Sequence, residues 1–153
     1  MDTGSKLVIE TVDLLIENEG NIKTIPQEEL YNNIRELCSA PKIFKETCHI
    51  DWEQTIDNIY NFIRGLSPYP TAWTEIIEPE GEHITMKIFQ MEKLYQKHNY
   101  KTGTIHTDGK NNLDIAVSGG FICIKSLQLA GKKRLPVKDF LNGTKINDKW
   151  YVE

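Results

Sequence analysis

Three adjacent cations, Lys132, Lys133 and Arg134, are the residues whose type and spacing best support binding chemistry in this sequence. They stand where an alternating apolar segment ends and a short helical pattern begins. Lysine and arginine donate charge-assisted hydrogen bonds to phosphate oxygens, and a loop at the rim of a small barrel suits a polyanion. The residues alone leave two alternatives open, a phosphate-binding loop and an ordinary solvated loop.

The other reactive side chains form no recognisable catalytic or metal-binding pattern. The four histidines are scattered, and no cysteine or histidine recurs at the short spacings of a zinc site. The sequence has no glycine-rich phosphate loop and no nucleophile elbow. The glutamates between Glu75 and Glu82 flank a proline and a glycine, which is typical of a solvated acidic loop. We therefore predict no catalytic residue and no metal ligand in this chain.

Charge is distributed unevenly along the 153 residues, although the net charge is only −4. Residues 51–83 hold one Lys/Arg against seven Asp/Glu, whereas residues 84–134 hold nine against three. A basic block can bind a polyanion even on an acidic protein, because fields are set locally. Alternatively, the acidic and basic blocks pair with each other in the fold.

Composition indicates a folded protein without a membrane span. The sequence is 39% hydrophobic and 26% charged, and no apolar run approaches the roughly 20 residues that cross a bilayer. The N-terminus lacks the pattern of a signal peptide. Three cysteines are an odd count without paired spacing, which favours reduced thiols and a cytoplasmic location.

The apolar periodicity predicts helices separated by a long connection. Residues 5–19 carry an apolar stripe at helical spacing, and Gly20 is placed to end that helix. Residues 21–49 contain two prolines and no steady period, which indicates a linker between domains. A second helix is predicted to begin after Asp51 as N-cap, with Gln54 completing a capping box.

Beyond residue 70 the apolar period changes to two, which predicts short strands. The five segments are AWTEII, ITMKIFQ, GTIHT, NLDIAV and FICIKSLQL. Gly119-Gly120 separates the last two as a hairpin turn, and Pro136 opens a short final helix. We predict a mainly β fold with flanking helices: a small five-stranded OB-like antiparallel barrel, preceded by an isolated helix and an extended linker.

Four segments resemble methionyl-tRNA formyltransferases, in the same order along the chain. IDWEQTIDNIYNFIRGLSPYPTAWT resembles the start of their C-terminal domain, and LQLAGKKRLPVKDFLNG resembles a motif near their C-terminus. APKIFKETCHIDW is similar to their interdomain linker, and GSKLVIETVDLL to the last helix of their catalytic domain. Leu129 stands where the family usually has proline, and Tyr69 where it has tryptophan.

The resemblance implies a C-terminal fragment, because the Asn-x-His and Ser-Leu-Leu-Pro motifs of the family's catalytic domain do not occur here. Residues 1–20 would be the closing helix of a Rossmann-like catalytic domain, residues 21–49 the linker, and residues 50–153 an OB-like tRNA-binding domain. Such a chain is expected to be inactive alone, and its exposed first helix offers a possible dimer contact.

The family transfers a formyl group from 10-formyltetrahydrofolate to the amino group of initiator methionyl-tRNA. The resemblance implies that the missing N-terminal catalytic domain is a partner and that this part binds no cofactor itself. It also implies that a basic surface of this part positions the tRNA. The candidate tRNA-binding residues are Lys132, Lys133, Arg134, Lys87, Lys125, Lys42 and Lys45.

Two other interpretations remain at this point. One is the C-terminal domain of a sibling enzyme, such as a nucleotide-sugar formyltransferase or a formyltetrahydrofolate dehydrogenase. The other is a structural domain that only packs against a catalytic partner.

Overall fold

The computed structural model of the protein describes residues 2–30 and 39–153. The chain divides into two compact units, Met1–Pro41 and Lys42–Glu153. This division falls inside the predicted linker, so the predicted boundaries at residues 20 and 49 stay a prediction. In the described parts of the chain, no helix is both long and apolar enough to cross a membrane.

The secondary structure is mainly strand in the second unit. The described helices are α1 (Asp2–Glu17), α2 (Gln27–Leu30), α3 (Ile56–Leu66) and α4 (Val137–Gly143), with a 3-10 turn at Glu46–Cys48. The strands are β1 (Ala72–Ile77), β2 (His83–Tyr95), β3 (Ile105–Thr107), β4 (Leu113–Val117), β5 (Gly120–Leu129), β6 (Leu135–Pro136) and β7 (Tyr151–Val152).

The first unit consists of α1 and the short α2. The predicted helix of residues 5–19 is present but shifted toward the N-terminus, at Asp2–Glu17. Gly20 ends it as predicted: its φ is +82°, and its N–H donates to the Leu15 carbonyl oxygen at 2.8 Å. Helix α1 buries none of its residues. Part of the predicted linker, including Cys38, lies outside the described residues.

The second unit is a nearly closed antiparallel barrel, which confirms the predicted OB-like fold, although the short strands β6 and β7 are added to the five predicted ones. The strand order is β3-β4-β5-β2-β1-β7, with β6 pairing to β5. An antiparallel bridge between Thr104 and Tyr151 brings the last strand beside the start of β3. The predicted hairpin turn is displaced by one residue, because Val117 pairs with Gly120 and leaves Ser118 and Gly119 as the loop.

The barrel core is aliphatic and is covered by α3. The helix contacts β1, β2 and β5, and buries Ile56, Ile59, Ile63 and Leu66. Inward residues of the strands alternate with outward polar ones, as the period of two requires. The fully buried strand residues include Ile76, Met86, Ile88, Ile105, Leu113, Ile115, Ile122 and Ile124.

The predicted start of helix α3, directly after Asp51, is wrong. Helix α3 begins at Ile56, and its N-cap is Thr55, whose Oγ1 accepts from Asn58 N–H at 3.3 Å. In a preceding turn, the Asp51 carboxylate instead accepts from the Gln54 side chain at 2.8 Å and from the Glu53 N–H at 3.0 Å, and these hydrogen bonds lower the Asp51 pKa. Tertiary contacts explain the delay: the buried Trp52 indole donates to Thr74 Oγ1 at 2.8 Å, and Thr55 forms a β-bridge with Ser118, so this segment is held against the strands before α3 begins.

Candidate nucleic-acid interface

The three-cation segment lies in an exposed loop of residues 130–134, between β5 and β6. The loop backbone is held on its β5 side: Ala130 N–H donates to the Thr85 carbonyl at 2.9 Å, and the Gln128 side chain donates to the Lys132 carbonyl at 2.7 Å. Lys132 and Lys133 have no carboxylate within 4 Å among the described residues. Their ammonium groups are therefore available to an external anion.

Arg134 differs from the two lysines because its side chain rests against the barrel. Its guanidinium carbon is 4.4 Å from the centre of the Phe89 ring, a cation–π contact. Its Nε donates to Ser126 Oγ at 2.9 Å. One of the three predicted phosphate ligands is thus already engaged within the protein.

Lys87 is the middle one of three paired residues that form a row across the outer face of the sheet. It pairs directly with Trp73 on β1 and with Gln128 on β5. Paired residues project from the same face, with neighbouring strands about 4.8 Å apart. Since Gln128 bonds the Lys132 carbonyl, this row connects Lys87 to the three-cation loop.

Trp73, at the β1 end of this row, contacts the segment of residues 45–49. Its indole Nε1 donates to the Lys45 carbonyl at 2.8 Å, and the Lys45 ammonium lies 5.5 Å from the ring centre. His49 packs edge-on against the same indole, with the ring centres 4.4 Å apart. The aromatic side chain therefore fixes residues 45–49 on the barrel, and Lys42 lies just before this segment, over the Phe44 ring.

We call the set Lys45, Lys87, Lys132, Lys133 and Arg134, with Trp73 and Phe89, the basic row. It crosses β1, β2 and β5 and ends in the loop before β6. Cations interleaved with aromatic rings are the side-chain types that contact phosphates and bases in nucleic-acid sites.

Lys125 does not join the basic row as a free cation. Its ammonium forms an ion pair with Glu92 at 3.0 Å, and that hydrogen bond raises the Lys125 pKa. Its charge is therefore partly neutralised by its own sheet.

The remaining surface supports binding chemistry less well. An open cleft of about 740 Å³ lies beside residues 49–53 and 148–153, but its lining mixes Asp51 and Glu53 with Lys101 and Lys149. Within residues 2–30 and 39–153, no group of three His, Cys, Asp or Glu side chains could hold a metal ion. Cys48 and Cys123 are free thiols, and burial raises the pKa of Cys123 to about 12. That thiol is consequently a poor nucleophile.

Sequence reasoning missed the aromatic part of this site. Phe89 interrupts the alternation of Ile84, Met86 and Ile88, and such a break is a signal of a bulge. Trp73 lies in the predicted strand AWTEII, but nothing in that pattern indicates that its half-buried ring contacts Lys45 and the His49 ring. No sequence signal predicted the Gln128 bridge.

The chain belongs to the family defined by the formyl transferase C-terminal domain, whose model matches residues 42–145. Several relatives bear the name methionyl-tRNA formyltransferase. The protein of Parabacteroides distasonis is 57% identical over 145 residues, covering 95% of this chain and 44% of the relative. That of Bacteroides fragilis is 53% identical over 148 residues (97% and 45%), and that of Phocaeicola vulgatus 49% over 153 residues (100% and 47%). This chain spans about half the length of these relatives.

Proposed function

We propose that this chain is the C-terminal part of a methionyl-tRNA formyltransferase and that its basic row positions initiator methionyl-tRNA. The parent enzyme moves the formyl group of 10-formyltetrahydrofolate to the methionyl amino group. The family match and the names of the relatives support the enzyme class. The continuous row from Lys45 through Lys87 to Lys132 is the observation that carries the positioning role.

In this proposal the chain performs no chemistry itself and works in the cytoplasm. It lowers the barrier elsewhere by holding the acceptor end near a catalytic domain, a proximity effect worth several kcal/mol. Residues 1–20 would belong to that domain and residues 21–49 would join it to the barrel. Phosphate contacts fix the position of the tRNA and carry little sequence information.

The test is a titration of the chain with a bacterial initiator tRNA at several salt concentrations. Each lysine that contacts a phosphate adds about one unit to the slope of log K against log salt. We expect Lys132→Ala/Lys133→Ala to lower the slope by about two units and the affinity by roughly tenfold near 0.1 M salt.

The matched control is Lys97→Ala/Lys101→Ala, which removes the same charge from the loop that follows the far end of β2. Tyr95, the last residue of β2, lies about 26 Å along the strand from Lys87 at the usual rise per residue, and Lys97 follows it. Equal losses in both double variants would indicate a diffuse field and not a site. Unchanged binding, or no binding by the native chain, would favour the structural packing domain.

A further inference from the structure

Phe89 occupies a bulge in the pairing of β2 with β5. Ile88 pairs with Leu127 and Gln90 pairs with Ser126, so Phe89 is the extra residue between two paired positions. A bulge re-aims a side chain and leaves a backbone group unpaired. Here the Phe89 carbonyl accepts a hydrogen bond from Ser67 Oγ at 2.8 Å, which satisfies it and fixes the bulge.

The re-aimed ring forms one side of a seat for Arg134. The guanidinium carbon is 4.4 Å from the ring centre, and Nε donates to Ser126 Oγ at 2.9 Å. Ser126 is only 6% exposed, so its hydroxyl belongs to the sheet and not to a mobile surface. In the described part of the chain, Arg134 has no carboxylate within 4 Å. Its contacts are therefore a ring and a hydroxyl, which hold it in place without neutralising its charge.

The three-cation loop, residues 130–134, is consequently restrained at both ends. On the β5 side, Lys132 N–H donates to the Leu129 carbonyl at 3.1 Å, and Gln128 holds the Lys132 carbonyl. On the β6 side, Arg134 is seated immediately before Leu135 pairs with Leu127. Lys132 and Lys133 lie between these two attachments.

We propose that Arg134 is a positioning residue: seated on Phe89 and Ser126, it holds the loop so that Lys132 and Lys133 meet successive phosphates of the bound RNA. This rests on the proposed function and divides the three adjacent cations into two roles. The two lysines contact the phosphates, and Arg134 acts through them. A planar guanidinium suits this seat, whereas an ammonium can neither stack in the same way nor offer Nε.

The test is a double-mutant cycle of initiator tRNA binding by the full chain. Phe89→Leu changes no charge, and Arg134→Lys keeps the charge but removes the planar group. We expect each to weaken binding about three- to tenfold, with a change of less than about one unit in the salt slope. In the Lys132→Ala/Lys133→Ala background, Phe89→Leu should change affinity by less than about twofold, because the loop then has no contact to position.

A second measurement needs no RNA. Hydrogen exchange at the Lys132 amide should become faster in Phe89→Leu and Arg134→Lys, while Phe62→Leu, the same change on α3, leaves it as in the native chain. Thermal melts confirm that the variants fold, and Ser126→Ala serves if one does not.

Equal effects of Phe89→Leu with and without the two lysines would overturn the proposal, as would unchanged exchange at Lys132. If the native chain does not bind tRNA, the proposed function fails and the positioning role fails with it. The exchange measurement then still decides whether Arg134 restrains the loop, so the two failures are distinguishable.

Discussion

Lys93 shows that the immediate surroundings of a cation decide whether it is free to bind. It lies in the same basic block, residues 84–134, as Lys87 and Lys132, yet its ammonium donates to Asp57 Oδ1 at 2.6 Å and lies 4.8 Å from the centre of the Tyr60 ring. The hydroxyl of Tyr95 donates to the same carboxylate oxygen. These hydrogen bonds lower the pKa of Asp57 and raise the pKa of Lys93 to about 12. This cation therefore attaches α3 to β2.

Replacing Asp57 with asparagine should lower the melting temperature in a pH-dependent way. A carboxylate whose folded pKa is lowered stabilises the fold above its usual value of about 4 and loses that effect as pH falls through the folded pKa. A lysine with a raised pKa stabilises below about 10.5 and loses the effect toward 12. We expect the native chain to melt higher than Asp57→Asn by no more than about 5 °C between pH 5 and 9.

The measurement is a set of thermal melts from pH 3 to pH 11 for the native chain and the variant. The difference should shrink below about pH 4 and again above about pH 10.5. Asp148→Asn, which removes an exposed carboxylate before β7, is the control. A difference that ignores pH, or that the control reproduces, would contradict the role assigned to the pair.

At the residue scale, the sequence predicted which side chains carry charge but not which of them form ion pairs or ring contacts within the protein. Lys125 and Lys93 are paired with Glu92 and Asp57, and both pairs join residues that are distant in the chain or on different elements. The seat of Arg134 depends on strand register. Register is a property of the whole sheet, so a reading of local pattern could not predict it.

At the scale of elements, alternation predicted the barrel strands well because one face of each strand is buried. It failed where that condition fails: β2 continues to Tyr95, beyond the predicted end, through residues with both faces largely exposed. Strands β6 and β7 have two residues each and form only through their tertiary partners. The start of α3 was misplaced since a good capping sequence competed with the burial of Trp52.

Helix α1 is an element without a buried face in its own unit. The predicted stripe includes Leu7 and Leu14, which are 57% and 52% exposed. A large exposed apolar face favours association, so the chain is expected to form dimers through this helix when nothing else covers it. We expect Leu7→Gln/Leu14→Gln to shift light scattering toward the monomer at high protein concentration.

Ile9→Gln/Ile16→Gln provides the matched control for this prediction. It removes similar apolar area from the same helix, at positions about 200° around the axis from Leu7 and Leu14 at 3.6 residues per turn. These isoleucines are also exposed. A native chain that stays monomeric at every concentration would show that α1 does not mediate self-association.

At the scale of the whole molecule, the barrel depends on a close approach between distant parts of the chain. Gly103 has a φ of +83°, and a Cβ there would lie 2.6 Å from the Val152 carbonyl oxygen. The same glycine accepts a hydrogen bond from the Val152 N–H at 2.9 Å. Gly103→Ala should therefore lower the free energy of unfolding by at least about 2 kcal/mol, since it combines backbone strain with a backbone clash.

Gly109→Ala separates the two contributions. Gly109 also has a positive φ, +69°, but a Cβ there meets nothing within 4 Å. We expect it to cost about 1 kcal/mol, from backbone strain alone. Urea unfolding of both variants measures the difference. Equal costs would mean that the closure at β7 tolerates the extra carbon.

Because β7 comes last among the described strands, the barrel can close only after residues 151 and 152 have been synthesised. The barrel needs residues 151 and 152 beside β1 and near the start of β3, yet these residues are translated after every other strand. A nascent chain on the ribosome therefore carries an open sheet whose β1 and β3 edges lack their final partner. Unpaired edges invite pairing with other chains. The chain is therefore most exposed to pairing with other chains during its synthesis, before β7 is in place.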